Sequence, residues 1–176
     1  YHICRRIGVK KLKVGHAGTL DPLATGVMIL CTGKATKRIE EFQYHTKEYV
    51  ATLRLGATTP SYDLEHEIDA TYPTGHTTRE LVEETLAKQL VIDEIELLAS
   101  RLADPEPTIR IRVVCSKGTY IRALARDIGE ALQSGAHLTE LIRTRVGDVR
   151  LEDCLDPEHF KEWIDRQEIE NDEDNN

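Results

Sequence analysis

The sequence predicts a mixed α+β fold, and three observations carry that reading. Residues Tyr49–Leu55 and Thr108–Cys115 alternate apolar and polar side chains with the two-residue period of strands. Residues 119–133 instead repeat apolar side chains at three- and four-residue steps, the period of a helix. Nowhere does the chain show the βαβ regularity or the phosphate-loop glycines of a nucleotide-binding fold.

Taken in order, Val27–Cys31 is a short apolar run behind a loop punctuated by Gly and Pro, and reads as a buried strand. Lys34–Phe42 fits a helix with Ala35, Ile39 and Phe42 on one side. The strand Tyr49–Leu55 sets Tyr49, Ala51, Leu53 and Leu55 against Val50, Thr52 and Arg54. Thr77, followed by Glu80, matches a capping box and opens a helix through about Leu86. Gln89–Leu98 is compatible with a strand. Thr108–Cys115 is the clearest one, with Ile109, Ile111, Val113 and Cys115 on one face. A helix then runs from about Thr119 to Gln133 and ends at Gly135, its core stripe being Ile121, Leu124, Ala125, Ile128 and Leu132. A short helix near His137–Ile142 and a strand near Val146–Leu151 follow. Asp156-Pro157, a cap followed by a proline at the first helical position, opens a last helix to about Arg166. The stretch from Glu168 to Asn176 is acidic and polar and is expected to be disordered. No internal repeat is present. A chain of 176 residues suggests one domain, or one with a small appendage.

No apolar run approaches the roughly 20 residues needed to cross a bilayer, and YHICRRIGVK holds no signal-peptide core. A soluble, cytoplasmic protein is expected. Cys4, Cys31, Cys115 and Cys154 stand singly, without a CxxC or a His at zinc spacing. They read as ordinary thiols in a reducing compartment, and no metal is expected.

The net charge of −8 argues against a polyanionic partner until its distribution is considered. Residues 1–38 carry +7 and residues 110–150 carry +4, whereas 39–109 carry −10 and 151–176 carry −9. Phosphate binding depends on local basic surface, not on the total. Either the two basic blocks form a nucleic-acid face or they are solvated surface charge.

Both blocks hold an unusual motif. In Gly15-His16-Ala17-Gly18-Thr19-Leu20-Asp21-Pro22-Leu23-Ala24-Thr25-Gly26, three glycines and a proline describe a tight loop. Asp21 there is either a turn residue bonding its own backbone or a functional carboxylate. In Cys115-Ser116-Lys117-Gly118-Thr119-Tyr120-Ile121-Arg122, a strand ends, turns at Gly118 and feeds a helix. Tyr120 and Arg122 then fall in the first helical turn, with Arg126 one turn on. A cation at a helix N-terminus is disfavoured by the dipole, so Arg122 calls for a compensating carboxylate or phosphate.

Taken together, GHAGTLDPLATGVMILCTGKATK, KEYVATLRLG, CSKGTYIRALARDIGEAL and GAHLTELIRTRVGDV closely resemble, in family order, the TruB family of tRNA pseudouridine-55 synthases. The likeness runs from about Lys11 to Leu155. It implies the pseudouridine synthase fold, a mixed, largely antiparallel sheet flanked by helices. It further implies an isomerase that needs no cofactor, acting as a monomer on a uridine flipped out of the T-arm of tRNA. Asp21 matches the family's catalytic aspartate, and Arg122 the arginine that keeps it ionised against desolvation. Tyr49 matches the active-site tyrosine that stacks on uracil, though a core strand aromatic would read the same. Tyr120 aligns with a second pocket tyrosine, with packing as its alternative. His16 matches the histidine that fills the space left by the flipped nucleotide. Lys13, Lys34, Lys37, Lys117, Arg143 and Arg145 are candidate phosphate contacts. A non-catalytic tRNA-binding or folding module is the alternative. A glycosidic hydrolase would want two carboxylates flanking the bond, and only one stands in a specific motif.

The chain departs from the family in two places. It lacks the N-terminal strand with a DKPxGxTS-like stretch, and Leu86 runs into Ala87-Lys88-Gln89-Leu90 where members carry a PPxYSAxKxxGxxAYxxAR-like insert. The sequence reads as segments joined across an omitted mobile loop, or as a truncated form. Residues 1–155 are expected to form the catalytic domain, and 156–176 a short helix and acidic tail without an additional RNA-binding domain.

Overall fold

The computed structural model describes residues 1–89 and 92–168. Helix α1 (His2–Arg6) leads into a hairpin of β1 (Val14–Ala17) and β3 (Ile29–Thr32), with the two-residue β2 (Thr25–Gly26) between them. A 3-10 turn (Gly33–Arg38) and α2 (Ile39–Gln43) stand where a single helix is predicted over 34–42. Then come β4 (Lys47–Leu55), the small pair β5 (Ala57–Thr58) and β6 (Ala70–Thr71), and α3 (Arg79–Ala87). The chain continues through β7 (Glu94–Arg101), β8 (Thr108–Cys115), α4 (Ile121–Ala131), β9 (Ala136–Val146), β10 (Val149–Arg150) and α5 (Phe160–Arg166).

The main sheet has the order β10-β9-β4-β8-β7, antiparallel throughout, with β2 added parallel to β9. It is therefore mixed and largely antiparallel. Its inner face presents Ala51, Leu53 and Leu55 from β4, Ile109, Ile111 and Val113 from β8, and Leu138 and Leu141 from β9. Against these pack Val82 and Leu86 of α3 and the α4 stripe Ile121, Leu124, Ala125, Ile128 and Leu132, all buried. Each Val, Leu or Ile among these contributes roughly 1.5–3 kcal/mol by leaving water, the alanines less. The outer face is charged: Arg112 reaches Glu48, Glu94 and Glu96 at 2.9–3.1 Å.

Four expectations are corrected. The segment 137–142 is not a helix but the first half of β9. Two irregularities in its pairing with β4 explain the misreading. Thr52 pairs with Glu140 and Leu53 with Leu138, leaving Thr139 as an extra residue; Glu48 pairs with Arg145 and Tyr49 with Arg143, leaving Thr144 extra. Each bulge shifts the face by one position. Leu138 and Leu141 are therefore both buried at a three-residue spacing that imitates a helix. Second, the α3 cap is Thr78, whose hydroxyl accepts from the Leu81 N–H at 3.2 Å, and not Thr77, whose buried hydroxyl has no partner among the described residues. Third, α4 begins at Ile121: Tyr120 is extended and serves as its N-cap. Fourth, of the strand predicted over 146–151, Val146 ends β9 and only Val149–Arg150 forms a strand of its own. The predicted strand from Gln89 starts at Glu94, with Leu90 and Val91 outside the described residues, as is the acidic stretch 169–176.

At the end of the chain, the Asp156 carboxylate accepts from the Glu158 N–H with Pro157 in place, as its motif predicts. The α5 that follows lies against α1, where Arg6 donates to the Gln167 carbonyl at 2.6 Å. Among the described residues no helix is long and apolar enough to cross a membrane.

Candidate active site

The loop bearing Asp21 is anchored at both ends by sheet. It leaves β1 at Ala17, turns at Gly18 with φ +89°, tightens through the Ala24 N–H bond to the Asp21 carbonyl (2.9 Å), and returns as β2. Gly26 pairs with Arg143 at φ +112°, where a Cβ would run into the Arg143 backbone. Only glycine permits that approach.

Asp21 meets the first turn of α4. Arg122 Nη2 donates to Asp21 Oδ1 at 3.4 Å; Nε lies 3.2 Å from Oδ2 but is not aimed at it and makes no hydrogen bond. Each side chain is 33% exposed. The ion pair is thus made but loose, open to a ligand, and it supplies the anion that a cation at this helix end calls for. Such contacts commonly tighten only once substrate is bound.

A cavity of about 450 Å³ opens beside the pair, lined among others by Asp21, Lys47, Tyr49, Lys117, Tyr120 and Arg143. That volume lies in the range of small-molecule sites. Its walls carry one carboxylate against three cations. Tyr49 rises from the inner face of β4, and burial pushes its phenol above the ordinary value against the opposing charge of Arg143. It is therefore a neutral phenol at physiological pH, fit to stack on a base and to donate a hydrogen bond. Tyr120, 70% exposed, stands at the mouth. Lys117 is exposed and lies 4.0 Å over the Tyr44 ring.

The remaining expected residues separate into two groups. His16, Lys13, Lys34 and Lys37 are exposed on the β1–β3 hairpin and the turn after it, outside the cavity lining. Arg143 contradicts its expectation as a phosphate contact. It is 1% exposed and spends its guanidinium on backbone, donating to the carbonyls of Val27 (2.8 Å), Gly18 (3.1 Å) and Thr19 (3.4 Å). The β9 bulge at Thr144 turns it inward, opposite Tyr49. Arg145 is half-buried and donates to the Gly147 carbonyl at 2.9 Å. Among the described residues no three His, Cys, Asp or Glu side chains cluster as a metal site.

Asp63 is a site residue the sequence does not reveal. It lines a small void behind Asp21, together with Leu141, and accepts hydrogen bonds from the Ser61 hydroxyl and the Glu65 N–H. Burial pushes its carboxyl up, but Ser61, the Glu65 N–H and the charge of Arg122 outweigh it and hold it below the ordinary value. Arg122 thus stands in the field of two carboxylates. The only local signal is a Ser-x-Asp turn after Pro60, which reads as a loop; the left-handed Tyr62 (φ 58°) that aims Asp63 inward is invisible in sequence. Asp63→Asn removes one of the two negative charges near Arg122 and is expected to lower turnover by roughly tenfold or less. Wild-type stability contributed by Asp63 is present above its unfolded pKa of about 3.9 and lost as pH falls through the lower folded value. Denaturant melts from pH 7 to pH 3 should show that decline in the wild type and a flatter profile in Asp63→Asn.

Residues 5–91 match the model of the TruB family pseudouridylate synthase N-terminal domain, and residues 122–174 that of the tRNA pseudouridylate synthase B C-terminal domain. The tRNA pseudouridine synthase B of Bacteroides thetaiotaomicron is 81% identical in an alignment of 213 residues that takes in 100% of this chain and 89% of that protein. The Bacteroides fragilis protein of the same name is 68% identical, over 97% of this chain and 87% of its own length. Among solved structures, the archaeal box H/ACA sRNP Nop10–Cbf5 complex superposes with a TM-score of 0.65 at 28% identity, over 93% of this chain and 51% of that one. An H/ACA RNP bound to a substrate RNA containing 2′-deoxyuridine gives 0.65 at 27% identity, over 94% and 50%. The chain spans about half the length of these structural relatives. It belongs to the TruB family of pseudouridylate synthases.

Proposed function

We propose that this protein isomerises a uridine in the T-loop of tRNA, at position 55, to pseudouridine. One observation carries the reading: a carboxylate paired with a guanidinium opens onto a nucleoside-sized cavity walled by a tyrosine and by cations. The reaction breaks the N1–C1′ bond, turns the base, joins C5 to C1′, and transfers the C5 proton out while N1 regains one. No group is imported and no electrons are exchanged. Asp21 supplies the negative oxygen, whether it attacks sugar or base or removes a ribose proton. Arg122 pairs with it beneath the base, Tyr49 stacks on the uracil and assists C5 proton loss, and Tyr120 borders the flipped nucleotide. His16 on the hairpin fills the vacated place in the RNA loop, with Lys13, Lys34, Lys37 and Lys117 along the phosphates. Residues 1–155 act as the catalytic domain of a cytoplasmic monomer.

Purified protein given tRNA tritiated at uridine C5 should release one tritium per tRNA, and nuclease digestion should yield pseudouridine. Free uracil among the products would make it a hydrolase instead. Binding with no release would make it a tRNA-binding module.

A further inference from the structure

Lys47 is a cation in the cavity wall that the reaction as described leaves unused. It opens β4 two residues before Tyr49, on the same inward face, and is 8% exposed. Its ammonium donates to the Gln43 carbonyl at the end of α2. Among the described residues no carboxylate lies within 4.0 Å of it. Its charged neighbours are Arg143 and Lys117, and the nearby Cys115 thiol is kept neutral by burial.

An ammonium has three donors, and one is used here. A charge buried without a counter-charge is costly, and two cations alongside raise that cost. Burial first, then Arg143, accordingly lowers the Lys47 pKa. Capping a five-residue helix accounts for one hydrogen bond. It does not account for an unpaired ammonium in the wall of the cavity that holds Asp21.

We propose that Lys47 is a substrate-binding residue whose ammonium pairs with a backbone phosphate flanking the flipped uridine. The inference rests on the isomerase reading above. Uracil and ribose are neutral, so the phosphodiester is the substrate's anion. Of the other cations of the wall, Arg143 holds three backbone carbonyls, and Lys117 is exposed over Tyr44, where it meets phosphates outside the cavity rather than the one beside the flipped base. Arg122 faces Asp21. Lys47 combines burial, two unused donors and, among the described residues, no carboxylate within 4.0 Å.

The test uses Lys47→Gln, which keeps a donor for the Gln43 carbonyl and drops the charge, and Lys47→Arg, which keeps both. Equilibrium binding to unmodified tRNA is measured from low to physiological salt, with single-turnover tritium release and thermal melts in parallel. The slope of log K against log salt should fall by about 0.7 in the Gln variant, one phosphate contact to single-stranded RNA. KM should rise severalfold while kcat stays within twofold and the melting temperature does not drop; the Arg variant should regain the wild-type slope. An unchanged slope in Lys47→Gln, or a lowered melting temperature with an unchanged slope, overturns the assignment. If the wild-type protein binds tRNA but leaves its uridines unconverted, the isomerase reading falls, and this inference falls with it.

Discussion

Asp21→Asn should cut tritium release from C5-labelled tRNA by roughly 1,000-fold or more while leaving tRNA affinity within a few-fold of wild type. The amide matches the carboxylate in shape and still offers an oxygen to Arg122 Nη2, so the loop and the helix start should hold their places. What disappears is the negative oxygen, and no other carboxylate can replace it. Asp63 lies behind Asp21, not in the lining of the large cavity, and is occupied by Ser61 and the Glu65 N–H. Single-turnover assays with excess enzyme separate the two effects: filter binding reports affinity, tritium release reports chemistry. Wild-type turnover in this variant would remove the catalytic assignment.

Arg143→Met should instead act on the folded state. Losing the guanidinium strands the buried Val27 carbonyl and releases the half-buried Gly18 and exposed Thr19 that the same fork holds. A buried carbonyl left unsatisfied costs about 1–3 kcal/mol, so a loss on that order is expected in denaturant melts. Lysine should rescue little, because one ammonium cannot reproduce a fork that meets three acceptors. Had Arg143 been a phosphate contact, the methionine variant would keep its stability and lose salt dependence in tRNA binding. The two measurements together decide between a clamp inside the protein and a contact outside it.

Where one rule governed a segment, its structure was readable from sequence. The strict alternation of Thr108–Cys115 became β8 with the same ends, and all five residues of the Ile121–Leu132 stripe are buried. Asp21 and Arg122 were flagged by the demands of a helix terminus and by motif, and they do meet. β9 was missed because two bulges break the period on which strand recognition depends, and a bulge is set by its partner strand, not by local residues. The same bulge hid the role of Arg143, whose face cannot be assigned until the register is known. Lys47 was legible in principle: extending the Tyr49–Leu55 alternation back by one step places a lysine on the inward face. Asp63 was not, since its orientation depends on a left-handed tyrosine with no sequence signature.

The return of the Asp21 loop into the sheet through Gly26, beside Arg143, has an engineering consequence. The twelve-residue motif does not make up the site alone. Its second half lies more than a hundred positions downstream, on a strand that holds the acid in place like a splint. Transplanting the motif onto a foreign scaffold should therefore yield an inert peptide loop, whereas cutting the chain elsewhere and rejoining the fragments should preserve the reaction centre, provided those two stretches still dock.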